Sequence, residues 1–83
     1  MTFRLVVEIL PKDGMLDPQG EAVEASLTAL GFDQVSAVQV GRLVSLTVQA
    51  ASAGEAVRLG EQMASALLAN PVMERYRVEA QAT

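Results

Sequence analysis

The sequence predicts one small α+β domain spanning residues 1–83, ordered strand, helix, strand, strand, helix, strand. Three observations lead there. Phe3 to Leu10 alternate with a two-residue period, the mark of a strand with one buried face. Pro18–Leu30 and Ser52–Ala69 carry helical spacing between recognisable caps. Turn-forming residues, Gly14, Gly31, Gly41 and Asn70-Pro71, separate these stretches.

In the first strand, Phe3, Leu5, Val7 and Ile9 form one face. The other face is mixed, with Val6 and Leu10 beside Arg4 and Glu8. A half-apolar outer face predicts partial cover, for which a second subunit would serve. The turn that follows, Pro11 to Gly20, organises the chain. Gly14 can take the positive φ a tight turn requires. Asp17 is placed as a helix N-cap, with Pro18 at the first helical position, where a missing N–H costs nothing. Gly20 in the first helical turn is against propensity and predicts a close approach by another backbone or a partner. A capped strand-to-helix turn explains these residues, and an anion site at the helix N-terminus is the alternative.

Helix Pro18–Leu30 places Val23, Leu27 and Leu30 on one face, predicted to pack on the sheet. Gly31 is positioned as a left-handed C-cap. Val35–Val40 reads as a second strand. Gly41-Arg42 then fits a two-residue hairpin turn, leading into a third strand over Leu43–Ala50. Ser52 and Glu55 have capping-box spacing ahead of the second helix. Its apolar stripe is Ala56, Leu59, Gly60, Met63, Ala66 and Leu67. Asn70-Pro71 stops it. A last strand, Val72–Ala80, sets Tyr76, Val78 and Ala80 against Arg75, Arg77 and Glu79, and the final three or four residues read as loose. This order is the split βαβ plan of ferredoxin-like folds, an antiparallel sheet with two helices.

Composition narrows the function. Hydrophobic residues make up 51% of 83 positions, more than so small a core can hold. The excess predicts a homodimer or a dimer of dimers. Net charge is −4 and the six basic residues are scattered, which argues against nucleic-acid and acidic-membrane surfaces. No apolar run approaches the roughly 20 residues of a membrane helix, and no signal peptide is read at the start, so a cytoplasmic location is expected. The chain has no cysteine and no histidine, which removes disulfides, the usual zinc ligand sets and imidazole-based triads. Lys12, Asp13, Asp17 and Arg42 are the candidates for chemistry. Lys12 and Asp13 read as solvated turn residues, Asp17 as a cap and Arg42 as an exposed residue at a hairpin tip. The glycines lack phosphate-loop spacing. An enzyme acting alone is not expected, and no catalytic, cofactor-binding or metal-binding residue is assigned.

Leu16-Asp17-Pro18-Gln19-Gly20, Ala29-Leu30-Gly31-Phe32, Val40-Gly41-Arg42 and Leu67-Leu68-Ala69-Asn70-Pro71-Val72-Met73-Glu74 stand in an order that resembles the PurS family. That family is a subunit of phosphoribosylformylglycinamidine synthase. The family often has a basic residue where this chain has Gln39, and a lysine in place of Arg42. The resemblance implies a non-catalytic subunit of purine biosynthesis that joins the PurQ glutaminase to the PurL synthetase and assists ammonia transfer. It implies no cofactor on this chain, with ATP used by the synthetase. It also implies partner contacts through Asp17, Gln19, Gly20, Arg42, Asn70 and Pro71. An ACT-type amino-acid-binding module is the alternative. Such modules share the strand–helix order and often carry glycine in the first turn, but lack the Leu16–Gly20 and Asn70–Glu74 blocks.

Overall fold

A computed structural model describes residues 1–83. Its centre is β1, Thr2–Pro11. The alternation of β1 is realised fully: Phe3, Leu5, Val7 and Ile9 are all buried and form most of the core. β2, Arg42–Gln49, and β3, Glu74–Ala82, flank it in the order β2-β1-β3, both antiparallel to β1. In this register Val44, Leu46 and Val48 lie opposite Val7, Leu5 and Phe3. Tyr76, Val78 and Ala80 lie opposite Ile9, Val7 and Leu5. These side chains make the inner face, and Arg75, Arg77 and Glu79 fall on the outer one, as the sequence predicts. The last residues are not loose: β3 reaches Ala82, and the Thr83 N–H bonds to the Thr2 carbonyl.

One helix covers the inner face. α2, Ala53–Met63, begins where Ser52 Oγ accepts the Glu55 N–H at 3.2 Å. The return half of the capping box is absent, because the Glu55 carboxylate turns to Arg58. α2 lies on β1 and β3. Gly60 makes that approach possible, since a Cβ there would stand 2.7 Å from Val78 Cγ1. The helix closes in a π-helical turn, Ala64–Leu68. The wider turn rotates the stripe. Ala64 is buried and Leu68 packs against the core, whereas Leu67, expected in the stripe, is 83% exposed.

Two expectations are corrected. Val35–Val40 forms no strand, and Gly41-Arg42 forms no hairpin. Ala37 takes φ 55°, which interrupts extension, and Gly41 lacks the positive φ of the expected turn. The N–H groups of Val38 and Val40 bond to side-chain carboxylates instead of a neighbouring strand. The strand that follows pairs with β1. The observed order is therefore β-α-β-α-β, still an antiparallel sheet with two helices.

The second correction concerns α1, Pro18–Ala29. Its ends are as predicted. Asp17 caps the start, and a Schellman motif closes the end through Gly31 N–H to Thr28 O and Phe32 N–H to Leu27 O, with Gly31 at φ 98°. Its stripe does not pack on the sheet. Leu30 is 75% exposed, Val23 is exposed, and only Gly20 is buried. The chain is accordingly long and thin, 49 × 27 × 14 Å, with a radius of gyration of 15.9 Å. About 12 Å is usual for this length.

Candidate functional site

At one end of the sheet three turns converge: Pro11–Asp17, Val38–Arg42 and Asn70–Glu74. Two hydrogen-bond networks hold them. The first is built on Asp17. One carboxylate oxygen accepts the Gly20 N–H at 3.0 Å and the other accepts the Val40 N–H at 3.1 Å. Glu24, one helical turn past Gly20, accepts the Val38 N–H at 3.2 Å. Gly20 is buried under this connection, and a Cβ would stand 2.5 Å from the Val38 carbonyl. The chain's own backbone thus explains the glycine. The helix N-terminus already holds an anion, the Asp17 carboxylate, so the anion-site alternative is not supported.

The second network is built on Glu74. Its Oε1 accepts the Arg42 guanidinium at 2.7 Å and the Asn70 N–H at 2.8 Å. The Asn70 N–H, and after it Arg42, hold the Glu74 carboxyl below its ordinary value. Asn70 Oδ1 accepts the Val72 N–H at 3.1 Å, closing an Asx turn. Lys12 is not simply solvated: its Nζ donates to the Pro71 carbonyl at 2.6 Å, and its N–H to Met73 O at 2.9 Å. Gly41 joins this turn to β1, with no room for a Cβ against the Ile9 carbonyl. Gln39 bridges the two networks to the sheet. It donates to Pro11 O at 3.2 Å and accepts from Arg75 at 3.1 Å.

The six residues singled out in the sequence therefore divide. Arg42, Asn70 and Pro71 share one exposed network. Gln19 is exposed on the first turn of α1, Asp17 is half-buried and Gly20 is buried. Sequence reasoning missed Glu74, Lys12 and Glu24 as organisers. Glu74 stood in the last matched block, but its pairing with Arg42 crosses 32 positions. Met15, Leu16, Pro71, Val72 and Met73 are all exposed around these networks. Pro11, Met15, Leu16, Asn70, Met73 and Glu74 line a shallow cavity of about 290 Å³ there. No group of three or more acidic, His or Cys side chains comes together as a metal site.

Exposed apolar side chains gathered around a hydrogen-bonded turn cluster fit a surface that meets another protein. Fold and site thus define a small α+β subunit of a larger complex. The family model for PurS, phosphoribosylformylglycinamidine (FGAM) synthase, matches residues 4–82, and this chain belongs to that family. The PurS subunit of Synechocystis sp. is 40% identical over 76 residues, 92% of this chain and 74% of that protein. The structure of Thermus thermophilus PurS superposes with a TM-score of 0.82, at 37% identity over 100% of this chain and 99% of that one. A chain in the structure of PurLQS from Thermotoga maritima superposes with a TM-score of 0.85, at 26% identity over 98% and 99% of the two chains. The amino-acid-binding alternative finds no support among these relatives. No helix is long and apolar enough to cross a membrane.

Proposed function

We propose that this chain joins the PurQ glutaminase to the PurL synthetase and supports the delivery of ammonia from one to the other. The observation that carries this is the turn cluster. Its matched residues, Arg42, Asn70 and Pro71, are fixed by internal bonds yet exposed, and unpartnered apolar side chains surround them. The likeness to a chain of PurLQS supports the same reading. In this reading the chain carries no cofactor and ATP is used at the synthetase. The setting is cytoplasmic, residues 1–83 act as one domain, and the chain self-associates as a homodimer or a dimer of dimers.

The test is a reconstitution with the PurL and PurQ subunits. Omitting this chain should abolish most glutamine-dependent product while leaving ammonium-dependent product largely intact. Equal loss with both nitrogen sources would place the chain in the synthetase's own chemistry instead.

A further inference from the structure

The shallow cavity at the turn cluster has two unlike parts. Pro11, Met15, Leu16 and Met73 supply apolar walls, and Glu74 is the one charged residue that lines it. Leu16 is 74% exposed and Met73 45%, so these walls stand open to whatever enters. At about 290 Å³ the cavity lies at the lower end of the range for small-molecule sites, and no cation lines it to hold a phosphate.

The polar groups decide what can fill it. Asn70 Oδ1 is taken by the Val72 N–H, and Glu74 Oε1 by Arg42 and the Asn70 N–H. Glu74 Oε2 receives no hydrogen bond from the chain. The Glu74 carboxyl is held below its ordinary value, so it is ionised at neutral pH. An aliphatic side chain seated here would cover that charge and leave an oxygen without a donor, which costs free energy. An acidic side chain would be repelled. The occupant therefore brings a donor at the end of an apolar stem.

Lysine has this form, a four-carbon stem that lies along apolar surface and a compact ammonium at its tip. Arginine fits less well, because its planar fork is matched by paired acceptors and Glu74 has one oxygen left. A second copy of this chain cannot supply the group. Lys12 is its only lysine, and Lys12 Nζ already donates to the Pro71 carbonyl at 2.6 Å.

We infer that this cavity receives a lysine side chain of another subunit of the complex, its stem along Met15, Leu16 and Met73 and its ammonium on Glu74 Oε2. This rests on the joining role proposed above and adds the chemistry of the contact, a lysine anchor on a carboxylate that Arg42 and Asn70 hold in place.

Carbodiimide treatment tests it, because it links a carboxylate to a lysine amine only where the two touch. The full chain reconstituted with PurL and PurQ should give an amide between Glu74 and one partner lysine, read by mass spectrometry. Its yield should be at least fivefold that of any partner amide at Glu21 or Glu61, which are exposed on the two helices. Glu74→Gln should remove that product and weaken binding at least fivefold at low salt. It should also flatten the salt dependence of binding between about 0.05 and 0.5 M, since salt screens an exposed ion pair. A role confined to holding the turn would weaken binding with the native slope, and that result overturns the proposal. Leu16→Ala leaves the Glu74 bonds in place and should weaken binding at least threefold; unchanged binding overturns the stem contact and the proposal with it. A complex in which Glu74 links to no partner lysine, or only to Lys12 of its own or a second copy, overturns the anchor but leaves the joining role standing. No complex at all overturns both.

Discussion

The second carboxylate oxygen of Asp17 accepts the N–H of Val40 at 3.1 Å, across 23 positions of sequence. Asp17 therefore does two jobs, since its first oxygen caps α1 through Gly20. Asp17→Ala removes the cap and leaves a part-buried N–H without an acceptor. The expected loss is about 2 kcal/mol, the cap and the orphaned donor each contributing about half. Asp17→Asn keeps one good acceptor and should lose about 1 kcal/mol. Denaturant midpoints with unchanged m-values measure both. An Asp17→Asn loss indistinguishable from zero would show that Val40 gains nothing from Asp17.

Gly20 and Gly54 make a matched pair. Both lie in the first turn of a helix, where alanine is the better helix former. At Gly20 a Cβ would strike Asp17 and the Val38 carbonyl, whereas at Gly54 the nearest outside atom is Ser52 Oγ at 3.9 Å. Gly20→Ala should cost about 1–3 kcal/mol through overpacking. Gly54→Ala should gain about 0.5 kcal/mol. Thermal melts of the two variants decide it, and a stabilised Gly20→Ala would mean that the connection over α1 moves freely.

The parts legible in the sequence are those whose cause is local. The period of β1, the Asp17-Pro18 start and the Gly31 end of α1, and the faces of β3 all rest on residues a few positions apart. What was not legible depends on distant partners. Val35–Val40 has strand-like composition, but carboxylates of Asp17 and Glu24 satisfy its N–H groups from another element. Arg42 read as a hairpin tip because nothing local shows that Glu74 waits 32 residues on. Leu67 kept the 3.6-residue period, but the π-helical turn changed the period beneath it. α1 carries Val23, Leu27 and Leu30 at helical spacing, but the sheet's inner face is already covered by α2, so they find no place in the core.

Glu74 gives the turn cluster a pH dependence of definite sign. The Asn70 N–H, and after it Arg42, lower its carboxyl from an ordinary value near 4.5. A lowered folded-state value means that the ionised form is favoured by folding. Its contribution is complete above pH 4.5 and is lost as pH falls through the lower folded value. Glu74→Gln abolishes the titration. Melting temperatures of native chain and variant should differ at pH 7 and converge as pH falls through the lowered folded-state value. A gap that stays constant as pH falls from 7 to well below 4.5 would show that the Glu74 bonds do not depend on its charge.

Arg42 is the position where fold and assembly can be separated. Its guanidinium is more than half exposed although it pairs with Glu74 at 2.7 Å. Exposed ion pairs contribute about 0–1 kcal/mol, so Arg42→Glu should stay folded with a small loss of stability. The double variant Arg42→Glu with Glu74→Arg restores the internal pair and should recover most of that loss. Assembly should respond differently. Arginine is favoured at interfaces for its planar, multi-donor head, and reversing its charge creates a conflict with any group that received it. Glutamine-dependent product formation in the reconstituted complex should therefore fall at least tenfold in Arg42→Glu. It should remain low in the charge-swapped double variant, while ammonium-dependent formation changes little. Recovery of glutamine activity in the double variant would show that Arg42 acts only by holding the Asn70–Glu74 turn. Unchanged activity in the single variant would remove Arg42 from the partner surface altogether.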